Sequence, residues 1–271
     1  MDTWRLILTP PTRGAWNMAV DEAILEHAGN GLRLPTLRLY SWDPPCLSLG
    51  HAQPFADVDT SALLAHGWEV VRRPTGGRAI LHTDELTYSV CAPADEPRLA
   101  GSLLDSYNRL AQALLAAVKD IGLPVEMKED RVEGSGPNPN PVCFEVPSTY
   151  EITVDGKKLI GSAQARRKEG VLQHGSLPLT GDLRRITQAL VFADEDSRQA
   201  AADRLLARAT TVESVVGQVI PWETAAQALV WAFEVALELN LEAEELSPSE
   251  LARADELVRQ KYANPEWTKR V

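Results

Sequence analysis

The polar–apolar pattern of the first part of the chain switches between helical and extended periods. From Gly14 to Ala28, Trp16, Ala19, Val20, Ala23, Ile24 and His27 recur on one face. Gly29-Asn30-Gly31 ends that run, so the spacing predicts a helix. Leu37 and Leu39 alternate with polar neighbours, and Cys46–Leu49 is a second short apolar stretch beyond Pro44-Pro45. Both read as strands. Thr60–His66 reads as a short helix closed by Gly67, followed by a strand over Trp68–Arg73. Ala79–His82 and Leu86–Val90 read as strands around Thr83-Asp84-Glu85. The strongest helical signal is Ser102–Gly122. There Leu103, Tyr107, Leu110, Leu114, Val118 and Ile121 keep a period of about 3.6 residues behind a Ser102/Asp105 capping pair.

Beyond Val125–Met127 the texture changes. Lys128–Pro141 is polar and rich in Gly, Pro and Asn, which predicts a loop. Tyr150, Ile152 and Val154 then alternate with polar residues up to Asp155-Gly156, a two-residue hairpin signal. The return strand opens with Lys157 and Lys158. Gly161-Ser162-Ala163 and His174-Gly175-Ser176 read as small-residue turns, and Val171–Leu179 as a further strand. Helical spacing returns at Leu183, Ile186 and Leu190, over Ser197–Ala209, over Trp222–Leu239, and from the Ser247-Pro248-Ser249-Glu250 start through Lys261. Strands cluster between residues 36 and 180, with helices before, between and after them. That order predicts an α+β fold, a mixed β-sheet packed on helices, over a doubly wound parallel sheet.

Composition adds exclusions. The 271 residues are 44% hydrophobic and 24% charged, enough for a sizeable core. A net charge of −11 argues against general nucleic-acid binding, which needs a positive field. Local basic clusters at Arg72-Arg73 with Arg78, at Arg166-Arg167-Lys168 and at Arg184-Arg185 leave room for an acidic partner. The three cysteines, Cys46, Cys91 and Cys143, are widely spaced and form no CxxC pair, so neither a disulfide framework nor a zinc site is expected. No apolar run reaches membrane-spanning length, and Leu6-Ile7-Leu8 is too short for a signal-peptide core. A reducing cytoplasm, with no membrane partner, is the expectation.

Candidate chemistry gathers in Cys143–Leu179. A thiol at Cys143, a lysine at Lys158 and small residues beside strands are the parts of an acyl-transfer site, although a lysine-rich surface hairpin carries the same letters. Upstream, Thr75-Gly76-Gly77-Arg78 can present backbone N–H groups and positive charge to an anion, or can be a plain turn. It is not a Walker A loop, because no GK[ST] follows at the required spacing. His82 and His174 can pair with a thiol or serve as hydrogen-bonding pocket walls. Cys46 and Cys91 sit in apolar strand contexts and read as small core residues.

Arg72-Arg73-Pro74-Thr75-Gly76-Gly77-Arg78 through His82, with GKKLIGSAQ and LQHGS, resembles the lipoate/biotin protein ligase superfamily. The likeness runs from GAWNMAVDEAIL at Gly14 to ELVRQKYANPEW ending at Trp267. With Cys143 in CFEVPSTYEI, the chain is most similar to the cysteine-dependent octanoyl-acyl-carrier-protein:protein octanoyltransferases. The resemblance implies a ligase-like catalytic domain over 1–240 and a C-terminal helical extension over 241–271. It implies that Cys143 takes octanoyl from acyl-carrier protein as a thioester and passes it to a lysine of a lipoyl-accepting protein such as the glycine cleavage H protein. Lys158 would support the nucleophile. Arg72, Arg73, Thr75, Gly76, Gly77, Arg78 and His82 would line the acyl and carrier-linker pocket, with Gly161, Ser162, Ala163 and His174 around it. No metal or cofactor is implied. Two rivals remain: an ATP-dependent lipoate–protein ligase, which would share the TGGR and GKKLIGSA motifs but has no use for a nucleophilic thiol at Cys143, and a module that binds lipoyl domains without transfer.

Overall fold

A computed structural model describes residues 1–128 and 151–271; the predicted loop up to Pro141 lies outside those residues except for its first residue, Lys128, and Cys143 lies outside them entirely. Strands β2 (Thr36–Tyr40), β6 (Glu85–Ala92) and β10 (Gly170–Pro178) are buried at every position. They form the middle of an eight-stranded sheet. With β1 (Asp2–Leu8), β7 (Glu126–Lys128), β8 (Glu151–Val154), β9 (Lys157–Arg167) and β11 (Leu239–Ala243), its order is β11-β1-β2-β6-β10-β9-β8-β7. Parallel pairing joins β11, β1 and β2, and antiparallel pairing joins the rest. The sheet is therefore mixed, as the pattern predicts.

Because successive side chains on a strand point to opposite faces, each central strand feeds two cores. Leu37, Leu39, Leu86, Tyr88 and Val90 pack under α3 (Leu103–Asp120) and α6 (Trp222–Leu237), with Val212 of the short α5 (Val212–Val216) in the same core. Tyr40, Cys91 and Leu172 face α1 (Gly14–Gly29), which α7 (Pro248–Leu257) backs. A second, three-stranded sheet in the order β4-β3-β5 is built from β3 (Cys46–Leu49), β4 (Glu69–Arg72) and β5 (Ile80–His82). It carries its own core with α2 (Thr60–His66), a 3₁₀ segment over Leu183–Ala189 and α4 (Glu195–Arg208).

Several predicted elements change on folding. The Ser102/Asp105 capping box and the hairpin at Asp155-Gly156, both residues with positive φ, form as expected. The helix from Trp222 stops at Leu237, because Glu238 turns left-handed and Leu239 enters β11 against β1. Leu183 and Ile186 form 3₁₀ turns rather than an α-helix. Gly161-Ser162-Ala163 and His174-Gly175-Ser176 are not turns. They lie inside β9 and β10 as direct cross-strand partners: Gly161 faces Ser176, Ser162 faces Gly175, and Ala163 faces His174. Small residues inside a strand mark close approach of another group, and here the group is the facing strand itself. Residues 239–243 sit in the main sheet. Glu250 in α7 holds a buried Arg5 of β1 at 2.6 Å, so the chain beyond residue 240 is tied into the core.

Candidate active site

A pocket lies between the α1 face of the large sheet and the small sheet, with about 390 Å³ of empty space when the open solvent at its mouth is included. Its walls come from every surrounding element: Met18 of α1, Tyr40 of β2, Ser48 of β3, Ile80 and His82 of β5, Thr87 of β6, and Gly161–Ala163 and His174–Ser176 of the β9–β10 pair. The inner surface is largely carbon. Met18 and Tyr40 are fully buried, while Ser162 and Ala163 are only partly so, and these two also line a neighbouring open groove. The pocket therefore has a closed end at α1 and β2 and an open end at β9.

Two buried polar networks set the pocket walls. In the first, Asp21 of α1 accepts from Arg38 at 2.7 Å, Tyr40 at 2.9 Å and Ser89 at 2.8 Å. His174 Nδ1 lies 3.7 Å from Asp21 Oδ2, the oxygen that also accepts from Tyr40, and its Nε2 meets Thr75 Oγ1 at 2.6 Å. Burial works to raise the Asp21 pKa, but Arg38 and His174 outweigh it and hold the carboxyl below its usual range. Burial pushes the His174 imidazole down, with Asp21 pulling the other way. In the second network, His82 Nδ1 meets Glu85 Oε1 at 2.6 Å, and its Nε2 meets Ser48 Oγ at 2.8 Å. Ser176 and Thr87 also donate to Glu85, each at 2.5 Å. These groups hold the Glu85 carboxyl low against the opposing effect of burial. Trp42 stacks on His82 with ring centroids 3.9 Å apart. The imidazole is thereby fixed in plane and in orientation.

The Thr75–Arg78 loop forms the other lip. Arg73 donates to the Ser48, Gly76 and Arg78 carbonyls at 2.9, 2.9 and 2.7 Å, which pins the loop across the pocket. Gly77 has φ +91, and a Cβ on Gly50 would collide with the Gly77 carbonyl, so glycine is required at both positions. Arg72 points away from the pocket. It is fully buried and donates to backbone carbonyls of Gly50, Gln53 and Thr268, so it supports the loop from behind. Gly76, Gly77, Arg78 and Lys158 line the open groove with Ser162 and Ala163. Lys158 itself is buried, with a carbonyl that accepts from Thr210 N at 3.0 Å.

Of the expected site residues, Arg73, His82, Gly161, Ser162, Ala163 and His174 meet at the pocket. Gly76, Gly77, Arg78 and Lys158 meet at the groove, and Thr75 joins through His174. Cys46 and Cys91 are buried, and burial pushes both thiols well up, the behaviour of core residues. Among the described residues no cluster of His, Cys, Asp and Glu could hold a metal ion. Asp21, Trp42, Ser48, Glu85 and Thr87 were not singled out by the sequence. Of these, Glu85 alone carries a local signal, its spacing of three residues from His82.

A narrow apolar pocket opening into a cationic groove suits a slender acyl chain with a polar head, and fold and cleft together define an α+β acyl-handling enzyme. Residues 13–234 match the family model of the lipoyl protein ligase A/B catalytic domain, and the chain belongs to that family. Relatives named octanoyltransferase LipM include one from Moorella thermoacetica, 41% identical over 99% of this chain and 98% of the relative. Another, from Brevibacillus brevis, is 39% identical over 100% of both. The fold also matches a bipartite lipoate protein ligase from Thermoplasma acidophilum, with TM-score 0.82 and 24% identity over 99% of this chain and 97% of that one.

Proposed function

We propose that this protein is an octanoyltransferase of protein lipoylation, moving octanoyl from octanoyl-acyl-carrier protein to a lysine of a lipoyl-accepting protein through a thioester on Cys143. The observation that carries the reading is the shared wall of pocket and groove. The apolar pocket opens at Ser162 and Ala163 onto a groove lined by Lys158 and Arg78, in a chain whose full-length relatives are octanoyltransferases. The acyl chain fills the pocket and its thioester head lies at the groove.

In the first step the Cys143 thiolate attacks the donor carbonyl, and the carrier thiolate leaves and takes up a proton. In the second, the neutral acceptor amine attacks the new thioester, Cys143 leaves as the thiolate and the amine loses its proton. Thioester exchange is near-isoenergetic and amide formation from a thioester runs downhill, so no nucleotide is consumed. Lys158 favours the thiolate, but its share is bounded. A thiol of pKa about 8.5 is roughly 3% ionised at neutral pH, so full ionisation gains at most about 30-fold. Lower nucleophilicity at lower pKa returns part of that. Most of the rate comes from holding the acyl chain in place and from donors to the developing oxyanion. A reducing compartment such as the cytoplasm suits an enzyme that works through a free thiol.

The test is intact-mass analysis and peptide mapping after mixing with octanoyl-acyl-carrier protein in the absence of nucleotide. The expected product carries one octanoyl group on the Cys143 peptide, and Cys143→Ala abolishes transfer to the acceptor lysine. Lys158→Ala is expected to raise the pH needed to alkylate Cys143. Strict dependence on ATP would point instead to the ligase reading. Carrier binding with no adduct would point to a non-catalytic module.

A further inference from the structure

Residues beyond the family match also shape the groove. The short helix α8 (Pro265–Thr268) and residues 269–271 lie against the loop that carries His51 and Gln53. Phe55 N donates to the Val271 carbonyl at 2.8 Å, Arg270 to the His51 carbonyl at 3.0 Å, and Trp267 Nε1 to the Arg72 carbonyl at 2.9 Å. Arg72 joins the two segments. Its Nε and Nη2 donate to the Thr268 carbonyl at 3.0 and 2.7 Å, while Nη1 donates to Gly50 and Gln53 at 2.8 and 2.6 Å. One peptide further on, His51 N donates to the Thr75 carbonyl at 2.8 Å, and Thr75 holds the pocket's His174. A continuous set of contacts thus runs from Thr268 to the pocket wall.

Charge follows the same geometry. Arg270 is exposed, and its guanidinium lies 3.9 Å over the Trp267 ring, which fixes its direction. Arg78, Lys158, Arg166 and Arg167 line the groove, and Arg270, bonded to the carbonyl of the groove residue His51, adds a further positive charge beside it, in a chain of net charge −11. The field registers on His51, whose pKa is lowered first by burial and then by Arg270 and Arg167.

We propose that residues 264–271 are a working part of the donor groove: Arg72 and Thr268 position its floor, and Arg270 is a rim charge that recognises an acidic carrier protein bearing the acyl thioester. The inference rests on the transfer reading above. Its occupant follows from charge and connectivity. An acyl chain reaching the pocket by way of the groove passes these cations, and a carrier of opposite charge is drawn to them. Arg270 acts on the carrier body alone, outside the acyl pocket, and Arg72 is a positioning residue that touches no reacting atom.

The experiment compares the full chain with Arg270→Glu, Arg270→Lys and Arg72→Lys on two donors. One is octanoyl-acyl-carrier protein; the other is octanoyl-pantetheine, which lacks both the carrier and its phosphate. Arg270→Glu is expected to raise KM for the carrier donor about five- to ten-fold, leave kcat unchanged and flatten the salt dependence, with octanoyl-pantetheine kinetics unaltered. Arg270→Lys restores most of the loss. Arg72→Lys keeps the charge but loses the forked donation to Thr268, and is expected to lower kcat with both donors. Unchanged KM in Arg270→Glu, or equal loss with both donors, overturns the rim; wild-type kinetics in Arg72→Lys overturn the positioning. Titration of carrier protein without turnover separates this from the transfer reading. If wild type transfers from neither donor, equal Kd for wild type and Arg270→Glu still overturns the rim.

Discussion

Gly175→Ala adds one methyl group where β9 and β10 face each other. A Cβ there lies 2.5 Å from Ser162 Oγ, 2.7 Å from Tyr88 Cε1 and 2.8 Å from the Gly161 carbonyl, all inside contact distance. None of the three gives way easily. The Gly161 carbonyl is strand backbone, and the Tyr88 ring is buried with its hydroxyl bonded to Ser162 at 2.7 Å and Gln173 at 2.9 Å. Rotating Ser162 away relieves the nearest contact but gives up its bond to Tyr88. Overpacking costs about 1–3 kcal/mol and a lost buried hydrogen bond about 1 more, so the substitution is expected to destabilise by roughly 2–4 kcal/mol. In a protein of this size that lowers Tm by about 4–7 °C. Thermal melts and urea unfolding measure the loss. Octanoyl transfer falls with it, because Ser162 borders both pocket and groove. Ser162→Ala in the same chain removes the closest contact, so the double variant should recover part of the loss rather than add to it. A melting point within about 2 °C of wild type, with full transfer activity, would refute the claim that the two strands need this close approach.

Two further outcomes follow from buried charge. Burial outweighs the pull of Asp21 on His174, so its folded pKa lies below its unfolded value of about 6.5. The unfolded chain then binds the extra proton first, so stability holds above that pH and falls as the pH drops below it. His174→Gln should flatten the urea midpoint between about pH 6.5 and 5, and an unchanged slope would assign the acid sensitivity elsewhere. Arg5 and Glu250 form a buried pair, and Arg5→Met leaves the Glu250 carboxylate with Ser247 as its remaining partner. The loss should be about 3–5 kcal/mol by urea unfolding, while Arg5→Met with Glu250→Leu should restore most of it. A single variant as stable as wild type would show that the pair is dispensable.

The local signals in the sequence translated well where the structure is local. The Ser102 capping box, the Asp155-Gly156 hairpin and the stop at Gly67 each depend on neighbours within a few residues. Pairing of β1 with β11 depends on residues more than two hundred positions apart, and nothing in Leu6-Ile7-Leu8 announces it. The helix at Gly14 was legible, but its apolar stripe left out Asn17 and Asp21. Both are buried because Arg38, on the facing strand, supplies their partner. Arg72 and Arg73 read alike as adjacent basic residues. Strand alternation sends Arg73 to the pocket and Arg72 to the carbonyls behind it, a division that composition cannot express. The small-residue motifs read as turns, and they lie inside paired strands. Glycine and serine favour turns in isolation, yet here they let two strands and a ring pack tightly.

Facing of Gly161–Ala163 by His174–Ser176 makes the site depend on chain length as strictly as on side-chain identity. Both motifs belong to one hairpin, closed at Lys168-Glu169 by only two residues between Arg167 and Gly170. Adding or removing one residue on either strand would slide the partners past each other and turn His174 from the pocket side to the α3 side. Substitutions can therefore retune this site one group at a time, whereas a single insertion between residues 161 and 176 would dismantle it whole.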